Sequence, residues 1–168
     1  MSASGTTVQR IVVMGVSGSG KSTIGELLAE RLDVPFVDAD SLHPLTNVEK
    51  MEQGIPLDDD DRWPWLQAVG EHIAAASGGI VVACSALKRS YRDRIRSAAP
   101  DVRFAYLEGD QGLLAARMAA RHNHFMPPSL LDSQLATLEP LASDEAGVTV
   151  STAATPQQIT ESIARRLE

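Results

Sequence analysis

The stretch Gly-Val-Ser-Gly-Ser-Gly-Lys-Ser at residues 15–22 constrains the fold of this chain more than any other feature. Its spacing is G-x-x-x-x-G-K-S; it follows an apolar run, Ile11–Met14, and precedes a helix-like segment, Thr23–Leu32. The pattern is typical of a loop that joins a buried strand to a helix and surrounds phosphate groups with backbone amides. Its glycines remove Cβ atoms where the backbone turns sharply and approaches a phosphate. A Gly/Ser-rich turn without function is the alternative, and the flanking strand and helix argue against it.

The same loop predicts the donor side of a reaction. Lys21 is expected to reach the β- and γ-phosphates of a nucleoside triphosphate, and the Ser22 hydroxyl is expected to bind Mg²⁺. The residues predicted to bind the nucleotide are Gly15, Ser17, Gly18, Ser19, Gly20, Lys21, Ser22 and Thr23.

Composition narrows the class of protein further. The chain has 168 residues, and 15 basic against 22 acidic residues give a net charge of −7, which argues against a general nucleic-acid binder. A single cysteine, Cys84, excludes an intrachain disulfide and suits a reducing cytoplasm. No apolar run approaches the length of a membrane span. We expect a flexible tail over residues 1–9 and one domain over residues 10–168.

Short apolar runs alternate with amphipathic stretches, which predicts an α/β protein with a parallel sheet and helices on both faces. In such a sheet, ligands bind at the carboxyl ends of the strands. The predicted strands are Arg10–Met14, Pro35–Val37, Ile80–Cys84, Arg103–Leu107 and Val148–Val150. The predicted helices are Lys21–Leu32, Val48–Gln53, Trp63–Ala76, Ser90–Ala98, Gln111–Ala120, Leu130–Leu138 and Pro156–Leu167.

Two carboxylates follow the second predicted strand. Asp38 and Asp40 point the same way if the strand persists, so one can hold Mg²⁺ through water while the other accepts a proton from an acceptor hydroxyl. The alternative is that they cap the next helix. His43 is either a substrate contact or part of a His-Pro turn.

Polar residues also follow the third predicted strand. The Ser85 hydroxyl is placed to meet a small polar substrate. Lys88 and Arg92 are four residues apart, so a helix would stack them on one face, where they either hold an anion or face solvent.

An acidic run, Asp58 to Asp61, precedes two tryptophans. We interpret most of the run as structural, with Asp61 as a helix cap and Pro64 in the first helical turn. Trp63 and Trp65 are expected to pack in the core.

Two arginines end the helix predicted after the fourth strand. Arg117 and Arg121 are four residues apart, and Asn123 and two prolines follow them. Arginines on a mobile segment can close over a triphosphate and stabilise its charge. Two surface arginines near a helix C-terminus are the alternative.

Five blocks of this sequence carry a family resemblance. They are G-V-S-G-S-G-K-S, D-A-D-S-L-H-P with Asn47, Lys50 and Met51, G-I-P-L-D-D-D-D-R-W-P-W-L, C-S-A-L-K-R-S-Y-R-D, and R-H-N-H-F-M-P. Together they resemble the thermoresistant-type gluconate kinases, which are P-loop kinases related to shikimate and nucleoside monophosphate kinases. The resemblance runs from about Ile11 to Glu145. The H-P…N…K-M…G-I-P-L residues of the second and third blocks and the C-S-A-L-K-R residues of the fourth are far more specific than the phosphate-binding loop.

The resemblance implies a three-layer fold with strand order 2-3-1-4-5 and a mobile lid over residues 121–136. It implies ATP-dependent phosphorylation of the 6-hydroxyl of D-gluconate, with Mg²⁺ as cofactor. The enzyme would be a cytoplasmic homodimer, and its product would enter sugar-acid catabolism. Asp38 would lie near Mg²⁺, and Asp40 would bind the acceptor and be the candidate base. Arg117 and Arg121 would be catalytic residues of the lid, and Arg117 would also lie against adenine. The implied substrate-binding set is Asp40, His43, Arg62, Ser85, Lys88, Arg92 and His124.

This chain departs from the family in its lid, where His122-Asn123 replaces a common Lys-Gly pair. Histidine would make the charge of the lid depend on pH near neutrality. Two other functions stay open: a kinase for shikimate or a nucleoside monophosphate, and a nucleotide-dependent switch without acceptor chemistry. The segment Ser85-Ala86-Leu87-Lys88-Arg89 argues against shikimate, and the absence of an Asn-Lys-x-Asp segment argues against a guanine-specific GTPase.

Overall fold

One parallel sheet organises the protein, and its strands are β1 (Arg10–Met14), β2 (Phe36–Asp38), β3 (Ile80–Ala83), β4 (Arg103–Glu108) and β5 (Gly147–Ser151). Their order across the sheet is β2-β3-β1-β4-β5, and each neighbouring pair is parallel. These features come from a computed structural model, which describes residues 8–16, 18–109 and 128–167. The predicted fold class and strand order are confirmed.

Helices connect the strands and flank the sheet. They are α1 (Lys21–Leu32), α2 (Leu45–Glu52), α3 (Asp59–Ala74), α4 (Arg89–Ala98), α5 (Pro128–Thr137) and α6 (Pro156–Arg166), and a 3₁₀ turn (Ala39–Leu42) follows β2.

The central strand shows why both faces of the sheet carry helices. Along β1, Val12 and Met14 contribute to a core with α3 and α4, whereas Ile11 and Val13 contribute to a second core with α1 and α6. Successive side chains of a strand point to opposite faces, and Ile11 to Met14 are all fully buried. This is the pattern of a strand covered on both sides.

The register of the strands brings their carboxyl ends to one edge of the sheet. Val13 of β1 pairs with Ala83 of β3, and Ala83 pairs with Asp38 of β2. The residues that follow these strands therefore meet at this edge, which is where a parallel sheet binds its ligands.

The largest boundary error concerns α3, which we predicted from Trp63 and which begins at Asp59. The Asp58 carboxylate accepts a hydrogen bond from Asp61 N, and the Asp61 carboxylate accepts one from Asp58 N. This capping box makes Asp58 the cap in place of Asp61 and puts Pro64 beyond the first turn. Trp65 packs in the core as predicted, and Trp63 is partly buried against it.

Other elements differ from the prediction by a few residues. Helix α2 begins at Leu45, directly after Pro44, and β2 extends one residue further to Asp38. The predicted helix Gln111–Ala120 and most of the predicted tail lie outside the described residues. Within the described ranges, no helix is long and apolar enough to cross a membrane.

Candidate active site

The loop between β1 and α1 has the tight geometry that its glycines predict. Gly20 precedes α1 with φ at 92°, a left-handed conformation that favours glycine. A Cβ on Gly15 would lie 2.8 Å from the Ser19 hydroxyl and 3.1 Å from the Leu107 carbonyl. Ser17 lies outside the described residues.

Hydrogen bonds inside the loop hold its shape. The Ser19 hydroxyl donates to the Val16 carbonyl at 2.7 Å, and the Lys21 ammonium donates to the same oxygen at 3.1 Å. Gly15 N donates to the Ser85 carbonyl at 3.3 Å, which joins the loop to the end of β3. Ser22 and Thr23 are exposed in the first turn of α1.

The two residues predicted to lie near Mg²⁺ meet at this edge. The Ser22 hydroxyl donates to the Asp38 carboxylate at 3.2 Å, although 16 residues separate them in the chain. The other Asp38 oxygen accepts a hydrogen bond from Asp40 N at 3.0 Å. Asp38 therefore caps the 3₁₀ turn and also faces the phosphate-binding loop, so the two interpretations of this residue are compatible.

Asp40 owes its position to the 3₁₀ turn and not to a continued strand. The chain leaves the sheet after Asp38, and the Ala39 carbonyl accepts a hydrogen bond from the Trp65 indole at 2.8 Å. The Asp40 side chain is 82% exposed. Partial loss of hydration and the Asp38 carboxylate raise the pKa of Asp40, and Lys21 opposes this effect. Water around so exposed a side chain limits the free energy involved.

His43 is held in a buried position beside Asp40. Its ring stacks on Trp65 with centroids 4.1 Å apart, and its Nε2 lies 4.0 Å from the Asp40 carboxylate. Burial and the nearby Arg62 lower the pKa of His43 to about 4, so the ring is neutral at pH 7.

A second polar group, the Asp59 cluster, consists of Asp59, Arg62, Lys88 and Tyr91. The Tyr91 hydroxyl donates to the Asp59 carboxylate at 2.6 Å, and Arg62 and Lys88 lie 3.3 Å and 3.6 Å from the same carboxylate. Both cations also lie over the Tyr91 ring. The hydrogen bond from Tyr91 lowers the pKa of Asp59, and the two cations add to this effect.

Sequence reasoning missed Asp59 and Tyr91. Asp59 belongs to an acidic run that we interpret from sequence as structural, and Tyr91 stands only within a family motif. One signal was available: Tyr91 lies three residues after Lys88, which places the two side chains on one side of a helix start.

The substrate role predicted for Arg92 is wrong. Arg92 is fully buried and forms an ion pair with Glu145 at 2.7 Å, whereas Lys88 precedes α4 and is partly exposed. The Arg92 guanidinium also donates to the Ala86 carbonyl at 2.8 Å. Ala86 has φ at 45°, a strained conformation for alanine. Arg92 thus supports the turn after Ser85 from the protein interior, and its full burial leaves no surface for a substrate contact.

Three further predicted residues, Arg117, Arg121 and His124, lie outside the described residues, as do His122 and Asn123. Residues 128–136 of the predicted lid belong to α5. Leu135 of α5 and Leu138 just beyond it pack against Val16 of the phosphate-binding loop and against Leu87.

Within the described ranges, no group of three or more His, Cys, Asp or Glu side chains could hold a metal ion. Ser22 and Asp38 suit Mg²⁺ nonetheless. This ion prefers oxygen ligands, keeps several waters, and takes further ligands from substrate phosphates.

These features define the class of protein as a P-loop kinase. The sheet has the order β2-β3-β1-β4-β5, and its edge carries the phosphate-binding loop, the Ser22–Asp38 pair and the Asp59 cluster. The sequence matches the AAA domain family over residues 11–141. The chain is 45% identical to a gluconokinase of Gluconobacter oxydans, over 94% of this chain and 90% of that protein. It is 44% identical to the thermoresistant gluconokinase of Escherichia coli K12, over 83% and 81% of the two chains. The chain belongs to the gluconokinase family.

Solved structures agree with this assignment. A gluconokinase from Sinorhizobium meliloti 1021 superposes with a TM-score of 0.86 at 51% identity, over 95% of this chain and 91% of that one. Shikimate kinase from Aquifex aeolicus, at 16% identity and a TM-score of 0.60, shares the fold.

The ion pair of Arg92 and Glu145 leads to a prediction about acid stability. Burial alone would raise the pKa of Glu145, but hydrogen bonds from Arg92, Ala142 N and Arg96 outweigh it and lower the pKa to about 2. The folded pKa lies below the ordinary 4.5. The pair therefore stabilises the fold above pH 4.5, and this contribution is lost as the pH falls toward 2.

We expect Glu145→Gln to lower the free energy of unfolding by about 3 kcal/mol at neutral pH. Urea denaturation should show this difference shrinking as the pH is lowered below 4.5. Glu161→Gln is the matched control, since Glu161 is an exposed carboxylate that also pairs with arginines; its effect should stay below about 1 kcal/mol. A Glu145→Gln effect that does not depend on pH would contradict this account.

Proposed function

We propose that this protein transfers the γ-phosphoryl group of MgATP to the 6-hydroxyl of D-gluconate, giving ADP and 6-phospho-D-gluconate. One observation carries the proposal. At a single edge of the sheet, Asp40 lies next to the Ser22–Asp38 pair and within the field of Lys21. An acceptor held by Asp40 would therefore face the end of a bound triphosphate.

The donor half of the reaction belongs to the phosphate-binding loop. Its amides and the N-terminus of α1 would hold the phosphates, and Lys21 would turn from the Val16 carbonyl toward the β- and γ-phosphates. Ser22 would bind Mg²⁺ directly and Asp38 would bind it through water. When bound, the ion neutralises charge on the phosphate oxygens.

Asp40 is the proposed acceptor-orienting residue and base. Its carboxylate is exposed and acceptor-only, so it can take a hydrogen bond from the 6-hydroxyl and receive the proton as the P–O bond forms. Phosphoryl transfer needs little covalent assistance, so orientation of the hydroxyl is the larger part of this role.

Arg62 and Lys88 are the proposed partners of the gluconate carboxylate. Both lie near one carboxylate, that of Asp59, so the four members of the Asp59 cluster together carry a net charge of plus one. That balance suits a substrate with a single negative charge. The Tyr91 hydroxyl adds a polar group to this cluster. We assign Ser85, which follows β3, to a substrate hydroxyl.

The remaining roles rest on the family resemblance. Arg117 and Arg121 would stabilise the transferring phosphoryl group from the lid, Arg117 would lie against adenine, and His124 would contact the substrate. We also propose that the enzyme acts as a cytoplasmic homodimer whose product enters the pentose phosphate or Entner-Doudoroff route.

A panel of acceptors tests the function. With MgATP, we expect turnover with D-gluconate to exceed turnover with sorbitol by at least about 100-fold, because sorbitol lacks the carboxylate that Arg62 and Lys88 would bind. Shikimate and nucleoside monophosphates are the rival acceptors, and both should turn over more slowly than D-gluconate. Coupled detection of ADP and phosphorus NMR of the product provide the measurement. Preferred turnover of shikimate or of a nucleotide would overturn the proposal, as would ATP hydrolysis that ignores every acceptor.

The role of Asp40 has its own test. Asp40→Asn should lower kcat by about 100-fold or more while the Kd for ATP stays unchanged, because the amide no longer accepts the proton. The matched control is Asp60→Asn, which removes the same charge from an exposed position in the first turn of α3. Normal kcat in Asp40→Asn would assign the base to another residue.

A further inference from the structure

His43 is fixed by its neighbours to a degree that a substrate contact alone does not require. Its side chain is only 4% exposed, and it stacks on Trp65 at an interplanar angle of 16°. The side-chain nitrogen of Asn47 lies 3.1 Å from His43 Nδ1. Asn47 is itself 2% exposed, so its amide hydrogen bonds are made within the protein.

The orientation of the Asn47 amide follows from a second contact. The same Asn47 nitrogen donates to the Asp61 backbone carbonyl at 2.9 Å, and a carbonyl can only accept. The NH₂ group therefore faces both Asp61 and His43. Since an amide nitrogen donates and does not accept, His43 Nδ1 must accept, and the single ring proton of neutral His43 must reside on Nε2.

We propose that Asn47 is a positioning residue that fixes His43 as the Nε2–H tautomer, so that His43 donates a hydrogen bond to a hydroxyl of the acceptor substrate. His43 Nε2 lies 4.0 Å from Asp40 Oδ1. A hydroxyl beside both groups would accept from Nε2–H and donate to the carboxylate, the double role that a hydroxyl can fill.

The charged groups around His43 act in opposite directions: the Asp40 carboxylate favours the imidazolium form, whereas Arg62 opposes it. Asp40 faces the ring from the 3₁₀ turn and Arg62 acts on it from α3, while the Asp61 carboxylate is engaged by Lys50 of α2. Protonation of Nδ1 would direct an N–H at the Asn47 amide hydrogens. Burial, Arg62 and the Asn47 amide thus oppose the imidazolium form and outweigh Asp40, in agreement with a His43 pKa of about 4.

The tautomer can be measured in the free enzyme. Long-range ¹H–¹⁵N correlation spectra of histidine-labelled protein, with His43 assigned by its loss in His43→Gln, should show a protonated Nε2 and a bare Nδ1 from about pH 6 to about pH 8. Asn47→Asp should move the proton to Nδ1, because a carboxylate there accepts. Lys50→Met, which breaks the neighbouring contact to Asp61, should leave the tautomer unchanged.

Kinetics test the substrate half of the inference, which rests on the proposed function. Loss of one hydrogen bond predicts that Asn47→Ala raises the KM for gluconate about tenfold and leaves the KM for ATP unchanged. His43→Gln, whose amide can replace Nε2–H, should retain more activity than His43→Asn, whose shorter amide falls near Nδ1.

The outcomes separate the two claims. An Nδ1–H tautomer or a doubly protonated ring at neutral pH overturns the inference, as does equal activity of the Gln and Asn variants. An enzyme without gluconate turnover overturns the proposed function and the substrate contact, while the NMR spectra still decide the role of Asn47.

Discussion

Parallel pairing of β1, β3 and β2 is the constraint on which the site depends. These strands end in register, so the loop after β1, the 3₁₀ turn after β2 and the turn after β3 lie together. The contact between Ser22 and Asp38 and the hydrogen bond between Gly15 and Ser85 both follow from this register. Side chains distant in sequence thereby lie together where the proposed phosphoryl transfer from ATP to the acceptor would take place.

Buried polar side chains give this edge its detailed geometry. Trp65 supports the turn that carries Asp40, Asn47 orients His43, and Arg92 supports the turn after Ser85. Each makes hydrogen bonds to backbone carbonyls or side chains from a buried position, where an unmatched polar group would be costly. Hydrogen-bonded polar side chains in the interior thus support the exposed groups to which we assign the proposed function.

Local patterns predicted the parallel sheet and the phosphate-binding loop, because buried strands and glycine-rich turns leave strong signals in sequence. The strand order came from the family resemblance. The start of α3 was predicted too late because each aspartate of the acidic run can cap a helix, and the sequence alone does not show that Asp58 does so. Arg92 was misassigned because spacing along a helix does not reveal which cation a distant carboxylate, here Glu145, will bury. The Asp59 cluster likewise depends on contacts between α3 and α4 that no local pattern encodes.

A crystal structure with Mg²⁺, a non-hydrolysable ATP analogue and D-gluconate would test the central claim most directly. The account predicts the 6-hydroxyl within hydrogen-bonding distance of Asp40 and in line with the γ-phosphorus, with the gluconate carboxylate on Arg62 and Lys88. The claim would be contradicted by a gluconate whose carboxylate lies at Asp40, or by a 6-hydroxyl that points away from the triphosphate.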